Sequence, residues 1–172
     1  MNDSNSLARF YAGWDLHQQR LTKAIAPLTP DQIQLQAAPG LLSVGVLAAH
    51  IIGARAFWFH HIMGEGPAEI AAWMGLDDED DSARPVEKLV IGLATTWAMI
   101  EAVLARCSPA NLDEIFRRVD PGRVRTYTRQ MLIWRVLEHD IHHTGEISLT
   151  LGLHGLRGLA EEYPTLAETV TD

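Results

Sequence analysis

Apolar residues return at three- and four-residue intervals through four long stretches of this chain, and strong two-residue alternation is absent. Such a chain must bury helical stripes against one another. The first stretch runs from Leu7 to about Ala26, with Phe10, Tyr11, Trp14, Leu21 and Ile25 on one face. The second begins after the capping residue Ser43, carries Val46, Leu47, His50, Ala54, Phe57 and Trp58, and should end near Met63, before Gly64 and Gly66-Pro67. The third starts at Pro85 and keeps its period through Leu89, Val90, Leu93, Trp97, Ile100 and Leu104 to about Arg106. The fourth begins near Thr126 or Thr128 and passes through Leu132, Val136, His139, His143 and Ile147 to about Leu151, before Gly152 and Gly155. The expectation is an all-α four-helix bundle, one domain over 1–172, with short extra helices in the connections.

Several connections have readable chemistry. Thr29-Pro30-Asp31-Gln32 pairs a capping hydroxyl with a Gln three residues on, which marks a short helix start. Residues 68–74 suit another short helix. The acidic run Asp77-Asp78-Glu79-Asp80-Asp81 reads as a solvated loop, because it lacks the Asp and Gly positions of an EF-hand. After the Pro121-Gly122 turn, Arg123, Arg125 and Arg129 alternate with Val124 and Tyr127, as in a short extended lead into the fourth helix. The tail from Gly158 to Asp172 reads as a short helix or an arm.

At 172 residues the chain can bury a core without disulfides. Its net charge of -8, with 14 basic residues scattered among 22 acidic ones, argues against a nucleic-acid partner. No stretch approaches the roughly 18 uninterrupted apolar residues of a membrane span, and the N-terminus lacks the pattern of a signal peptide. Cys107, the single cysteine, excludes an internal disulfide and a cysteine-based zinc site; it reads as a small buried hydrophobe in a cytoplasmic protein.

Chemistry concentrates in Glu138-His139-Asp140-Ile141-His142-His143-Thr144-Gly145-Glu146. His139 and His143 are four apart, so on a helix their rings leave one face a turn apart and can converge on one metal ion, while His142 points elsewhere. A third ligand must come from another inward histidine. His50 is the best candidate, mid-stripe on the second helix beside the small residues Ala48, Ala49 and Gly53. His60 and His61 lie nearer that helix's end, and His17 and His154 have weaker claims. A single histidine on an apolar face is more often a hydrogen-bonded core residue. Two buried a turn apart leave several nitrogens to satisfy, which shifts the balance towards a metal.

His139-Asp140-Ile141-His142-His143 resembles the zinc-protease pattern H-E-x-x-H, but Asp is one methylene shorter than the Glu that serves as general base. A di-iron bundle needs more inward carboxylates than this chain offers. Asp140 and Glu146 remain the nearest catalytic candidates, Glu146 also as an acid orienting a ligand. Arg123, Arg125 and Arg129 either hold a carboxylate-bearing thiol or form a solvated face.

These residues resemble the DinB/YfiT-like superfamily of metal-dependent enzymes over most of the chain. The resemblance is carried by Phe10-Tyr11-Ala12-Gly13-Trp14, Leu28-Thr29-Pro30-Asp31-Gln32, Ala38-Pro39-Gly40, Ser43-Val44-Gly45 leading to Ala48-Ala49-His50, and Glu138-His139 with His142 through Glu146. It implies a four-helix bundle, often dimeric, with a zinc or nickel ion on His50, His139 and His143. It also implies activation of a low-molecular-weight thiol, such as mycothiol, bacillithiol or glutathione, for attack on an electrophilic small molecule. Glu146 stands where many relatives have Gln, and Thr144 where Arg is common. The expected function is therefore a metal-dependent thiol S-transferase or related detoxification enzyme. The alternatives are a noncatalytic dimeric bundle serving as a stress-associated binding or scaffold protein, and a metallohydrolase.

Overall fold

The computed structural model describes residues 6–78 and 84–159. Residues 160–172 of the expected tail, and 79–81 of the acidic run, lie outside them. Four long helices dominate: α1 (Ala12–Ile25), α2 (Val44–Arg55), α3 (Val86–Arg106) and α4 (Arg129–Leu153). Their starts follow the expected chemistry. Ser43 Oγ accepts the Val46 N–H at 3.3 Å, and Thr128 Oγ1 accepts the Met131 N–H at 3.2 Å, each satisfying an otherwise orphaned helix donor. Thr29 and Gln32 exchange reciprocal side-chain bonds before a 3₁₀ turn at Gln32–Gln34. α1 starts later than its apolar period, because the Leu7 and Ala8 N–H groups bond the carbonyls of Cys107 and Leu104 at the end of α3.

Two features depart from the sequence expectation. First, α2 continues as a π-helix over Ala56–Ile62, the wider winding that recurs at functional sites. Second, the protein is not all-α. Ile115–Asp120 (β1) and Arg123–Thr128 (β2) form an antiparallel hairpin, with Ile115 opposite Thr128 and Asp120 opposite Arg123. Gly122 has φ +73, as a Pro-Gly turn requires at its second central residue. The extended stretch expected from Arg123 is therefore one strand of a pair. Arginines on both faces of the hairpin hide its alternation from a hydrophobicity pattern: Ile115, Arg117 and Val119 face out while Phe116 and Arg118 lie half-buried.

α2 is the central element, packed on α3 and α4, while α1 lies on α3 and α4. One core cluster gathers Trp14, Phe59, Ile100, Leu132 and Val136. A second gathers Leu21, Ile51, Leu89, Leu93 and Ile147, and Trp73 touches both. Gly92 permits the α2–α3 approach, since a Cβ there would sit 2.9 Å from Ile52 Cδ1 and from Trp73. α3 has the length and apolar composition to cross a membrane, but Leu89, Leu93, Ile100 and Val103 face the protein core. Cys107 is buried, as its apolar setting suggested.

Candidate metal centre

α2 and α4 lie side by side, so residues facing each other across them meet at one level. His50 comes from the middle of α2, and His139 and His143 from adjacent turns of α4. The three ring centroids form a near-equilateral triangle, with separations of 4.8 Å for His50–His139, 4.9 Å for His50–His143 and 4.4 Å for His139–His143. One nitrogen from each ring lies within 4.8 Å of the other two. The His50 side chain is 38% exposed and that of His143 15%, so the triangle has a solvent-facing side.

Carboxylates fix two of the rings. His50 Nδ1–H donates to Asp77 Oδ2 at 2.6 Å, and His143 Nδ1–H donates to Glu146 Oε2 at 2.6 Å. A ring that donates through Nδ1 presents a lone pair at Nε2, where a metal ion can be held. His139 differs: its Nδ1 is buried with no hydrogen-bond partner among the described residues. Burial, followed by the neighbouring His143 and His50 and then Arg135 and His142, lowers the His139 pKa to about 3. It is therefore neutral at pH 7, the state a metal ligand requires. Three imidazoles, two of them oriented by carboxylates and one with an orphaned nitrogen, suit a divalent ion with coordination positions left open.

The structure separates the remaining histidines and acids by role. Exposed His142 lies outside the triangle, its Nε2 3.7 Å from Glu146 Oε1, although His142, His143 and Glu146 form a second, more open group of ligand types. His60 Nδ1–H donates to the Glu65 carbonyl and His154 Nε2–H to the Gln36 carbonyl, both at 2.8 Å. Half-buried His17 pairs with Thr144 Oγ1 at 3.1 Å, while His61 stacks beside Phe57. Asp140, though next to His139 in sequence, faces the opposite way. Its Oδ2 accepts Trp14 Nε1–H at 2.8 Å and Arg55 Nε–H at 2.9 Å, in an ion pair with 0% exposure on both sides. That carboxylate is structural.

Of the three arginines singled out from sequence, Arg129 is buried and paired with Glu65 and Glu114, so it cannot reach a ligand. Arg125 lies 3.3 Å from Asp120, and Arg123 is exposed on β2. The residue missed by sequence is Asp77, read there as part of a solvated loop. Its signal lay in two glycines. Gly75 has φ +73, turning the chain towards α2, and a Cβ on Gly53 would sit 3.4 Å from Asp77 Oδ1. The element that approaches α2 at Gly53 is the segment that brings Asp77 to His50.

The DinB family model matches residues 1–170. The chain belongs to the DinB family. The fold agrees: the crystal structure of a DinB-like protein from Bacillus cereus ATCC 10987 superposes with a TM-score of 0.66 at 18% identity, covering 92% of this chain and 99% of that one. No curated protein matches the sequence significantly. DinB membership and the histidine triangle together fit a metal-dependent enzyme in the broad sense.

Proposed function

We propose that the four long helices act as a bundle holding a divalent ion, zinc or nickel, on His50, His139 and His143. On this basis the protein is a thiol-dependent S-transferase or a related detoxification enzyme. The observation that carries the metal assignment is the pairing of a three-imidazole triangle with Asp77 and Glu146 on the Nδ1 atoms of two of its rings. When bound, such an ion acts as a Lewis acid and lowers the pKa of a thiol or water on an open position. The thiol class itself is carried by the family resemblance.

The chain's own residues supply orientation and a proton route. Asp77 and Glu146 hold His50 and His143 in one tautomer. The exposed side of the triangle admits a small molecule. Of the two acids singled out from sequence, Asp140 is occupied by Arg55 and Trp14, which leaves Glu146. Its Oε1 faces His142 Nε2 at 3.7 Å, so a proton released by a thiol has two titratable groups through which to reach solvent. The proposal includes a cytoplasmic homodimer acting on small molecules, with no nucleic-acid or membrane partner.

The test is elemental analysis of untagged protein and of its His50→Ala, His139→Ala and His143→Ala variants, followed by thiol consumption in the presence of an electrophile panel. The expected result is about one divalent ion per chain, lost in each variant, and thiol consumption only by the metal-loaded wild type. Full occupancy in all three variants would overturn the metal site. Turnover of ester or amide panels without thiol would favour a metallohydrolase. No metal, with stability unchanged by chelator, would favour a noncatalytic binding protein.

A further inference from the structure

Arg135 stands one turn before His139 on α4, on the same helical face. Its guanidinium lies 4.8 Å from the centre of the Trp58 ring, and Trp58 sits two turns beyond His50 in the π-helical continuation of α2. The pair therefore occupies the α2–α4 seam directly beside the histidine triangle, on the side facing the hairpin. Tyr127 of β2 packs edge-on against Trp58 at 5.5 Å, and Arg118 of β1 lies 5.6 Å from Trp58 and 5.0 Å from Phe57.

The charges here are unequal. Arg118 and Arg125 share one carboxylate, Asp120, at 2.9 and 3.3 Å. Arg135 is exposed and forms no ion pair among the described residues, although its charge is felt at His139. Arg118, Arg125 and Arg135 thus have one paired carboxylate among them, Asp120, in a protein whose net charge is -8. A local positive field in an acidic protein, held beside an open site, draws in anions. The Trp58 ring restricts the guanidinium, and no hydrogen bond or ion pair among the described residues occupies its N–H groups, an arrangement that suits a planar carboxylate.

We infer that Arg135, braced on Trp58, binds a carboxylate of the small-molecule substrate beside the histidine triangle, with Arg118 and Arg125 supplying the surrounding field. The inference rests on the proposed metal-dependent reading of that triangle and adds the substrate class. The carboxylate belongs either to the thiol or to its electrophilic partner, and the two sources are separable.

Cobalt-loaded wild type and Arg135→Gln, normalised to cobalt content, are titrated with 3-mercaptopropionate and with 2-mercaptoethanol, following the thiolate-to-cobalt absorption band. A carboxylate on the thiol gives the wild type a preference for 3-mercaptopropionate of about tenfold or more, which Arg135→Gln abolishes while keeping its affinity for 2-mercaptoethanol. A carboxylate on the electrophile appears instead as saturable binding of propionate in the presence of saturating 2-mercaptoethanol, read from the Arg135 Nε–H resonance of zinc-loaded protein and from heat of binding. Arg135→Gln removes that heat, and Arg135→Lys, which keeps the charge but loses the fork, restores only part of it. If neither carboxylate effect appears in the wild type, or if Arg135→Gln leaves both unchanged, the inference is overturned. Should the protein retain no metal, the proposed function fails separately. Propionate titration of the metal-free protein then decides the inference: an Arg135-dependent saturable shift sustains the carboxylate site, and its absence removes it.

Discussion

His139 and Asp140 are joined by one peptide bond yet belong to opposite kinds of polar centre. Asp140 points into a closed network: its Oδ2 takes N–H groups from Trp14 and Arg55, Arg55 Nη1 donates to Gln18 Oε1 at 2.7 Å, and Gln18 Nε2 donates to the Leu93 carbonyl at 3.2 Å. That network links all four helices without opening to solvent. His139 points into an open centre where two of the three rings are oriented by carboxylates and its own Nδ1 has no partner among the described residues. Apart from Asp140 Oδ1, which is buried without a hydrogen-bond partner among the described residues, the first arrangement uses its polar atoms to fix the helices; the second leaves ligand atoms for something else. A buried nitrogen without a partner is costly unless a ligand completes it.

The contrast can be broken most forcefully at Asp140. Asp140→Ala leaves Arg55 charged, buried and unpaired, at an expected cost of about 3–5 kcal/mol, or a fall of roughly 10 °C or more in Tm. Thermal unfolding in chelator measures this without any metal contribution. A loss below about 1 kcal/mol would show that the closed network does not hold the helices together.

His139→Ala should do the reverse: metal affinity falls at least about 100-fold, while metal-free stability changes little, because an unsatisfied buried ring is removed. Calorimetric metal titration alongside unfolding in chelator separates the two effects. A smaller change, about 10- to 100-fold in metal affinity, is expected for Asp77→Asn, with Glu146→Gln at the lower end because its side chain is more exposed. Equal affinities in all three proteins would mean that the carboxylates do not tune the rings.

The pH dependence of the metal-free protein bears on the same contrast. His139 has its pKa lowered to about 3 in the folded state against an ordinary 6.5, so between those values the unfolded chain binds more protons. Stability should therefore decline as pH falls from 6.5 towards 3. Burial lowers the His17 pKa as well, which adds to the same trend. Denaturant midpoints across that range should show a shallower decline in His139→Gln; an unchanged slope would place the acid sensitivity elsewhere.

The sequence made the helices legible because burial imposes a 3.6-residue period on each stripe, and Ser43 and Thr128 mark their starts with local chemistry. His139 and His143 were legible for the same reason, since a helix fixes the relation of residues four apart. His50 could be nominated because its stripe was readable, although its meeting with α4 depends on tertiary packing. Asp77 was not legible: its contact spans 27 residues and depends on a Gly75 turn, while its immediate neighbours are acids typical of a solvated loop. The setting of Asp140 was not legible either, because its ion-pair partner, Arg55, is 85 residues away. The strand at Ile115–Asp120 escaped notice because long arginine stems can cover apolar surface from either face, although the extended stretch from Arg123 was legible.

The π-helical continuation at Ala56–Ile62 divides the labour of one helix between two segments that can change independently. A π-turn holds a residue more than an α-turn needs, so deleting one residue ahead of Trp58 should restore ordinary winding, leave the helix beyond the stretch near its present orientation and move Trp58 itself. His50, upstream, would keep its place opposite His139 and His143, while Trp58 would swing away from Arg135. Natural or engineered length changes in this short stretch therefore offer a route to new substrate preferences that leaves the ligand geometry inherited intact.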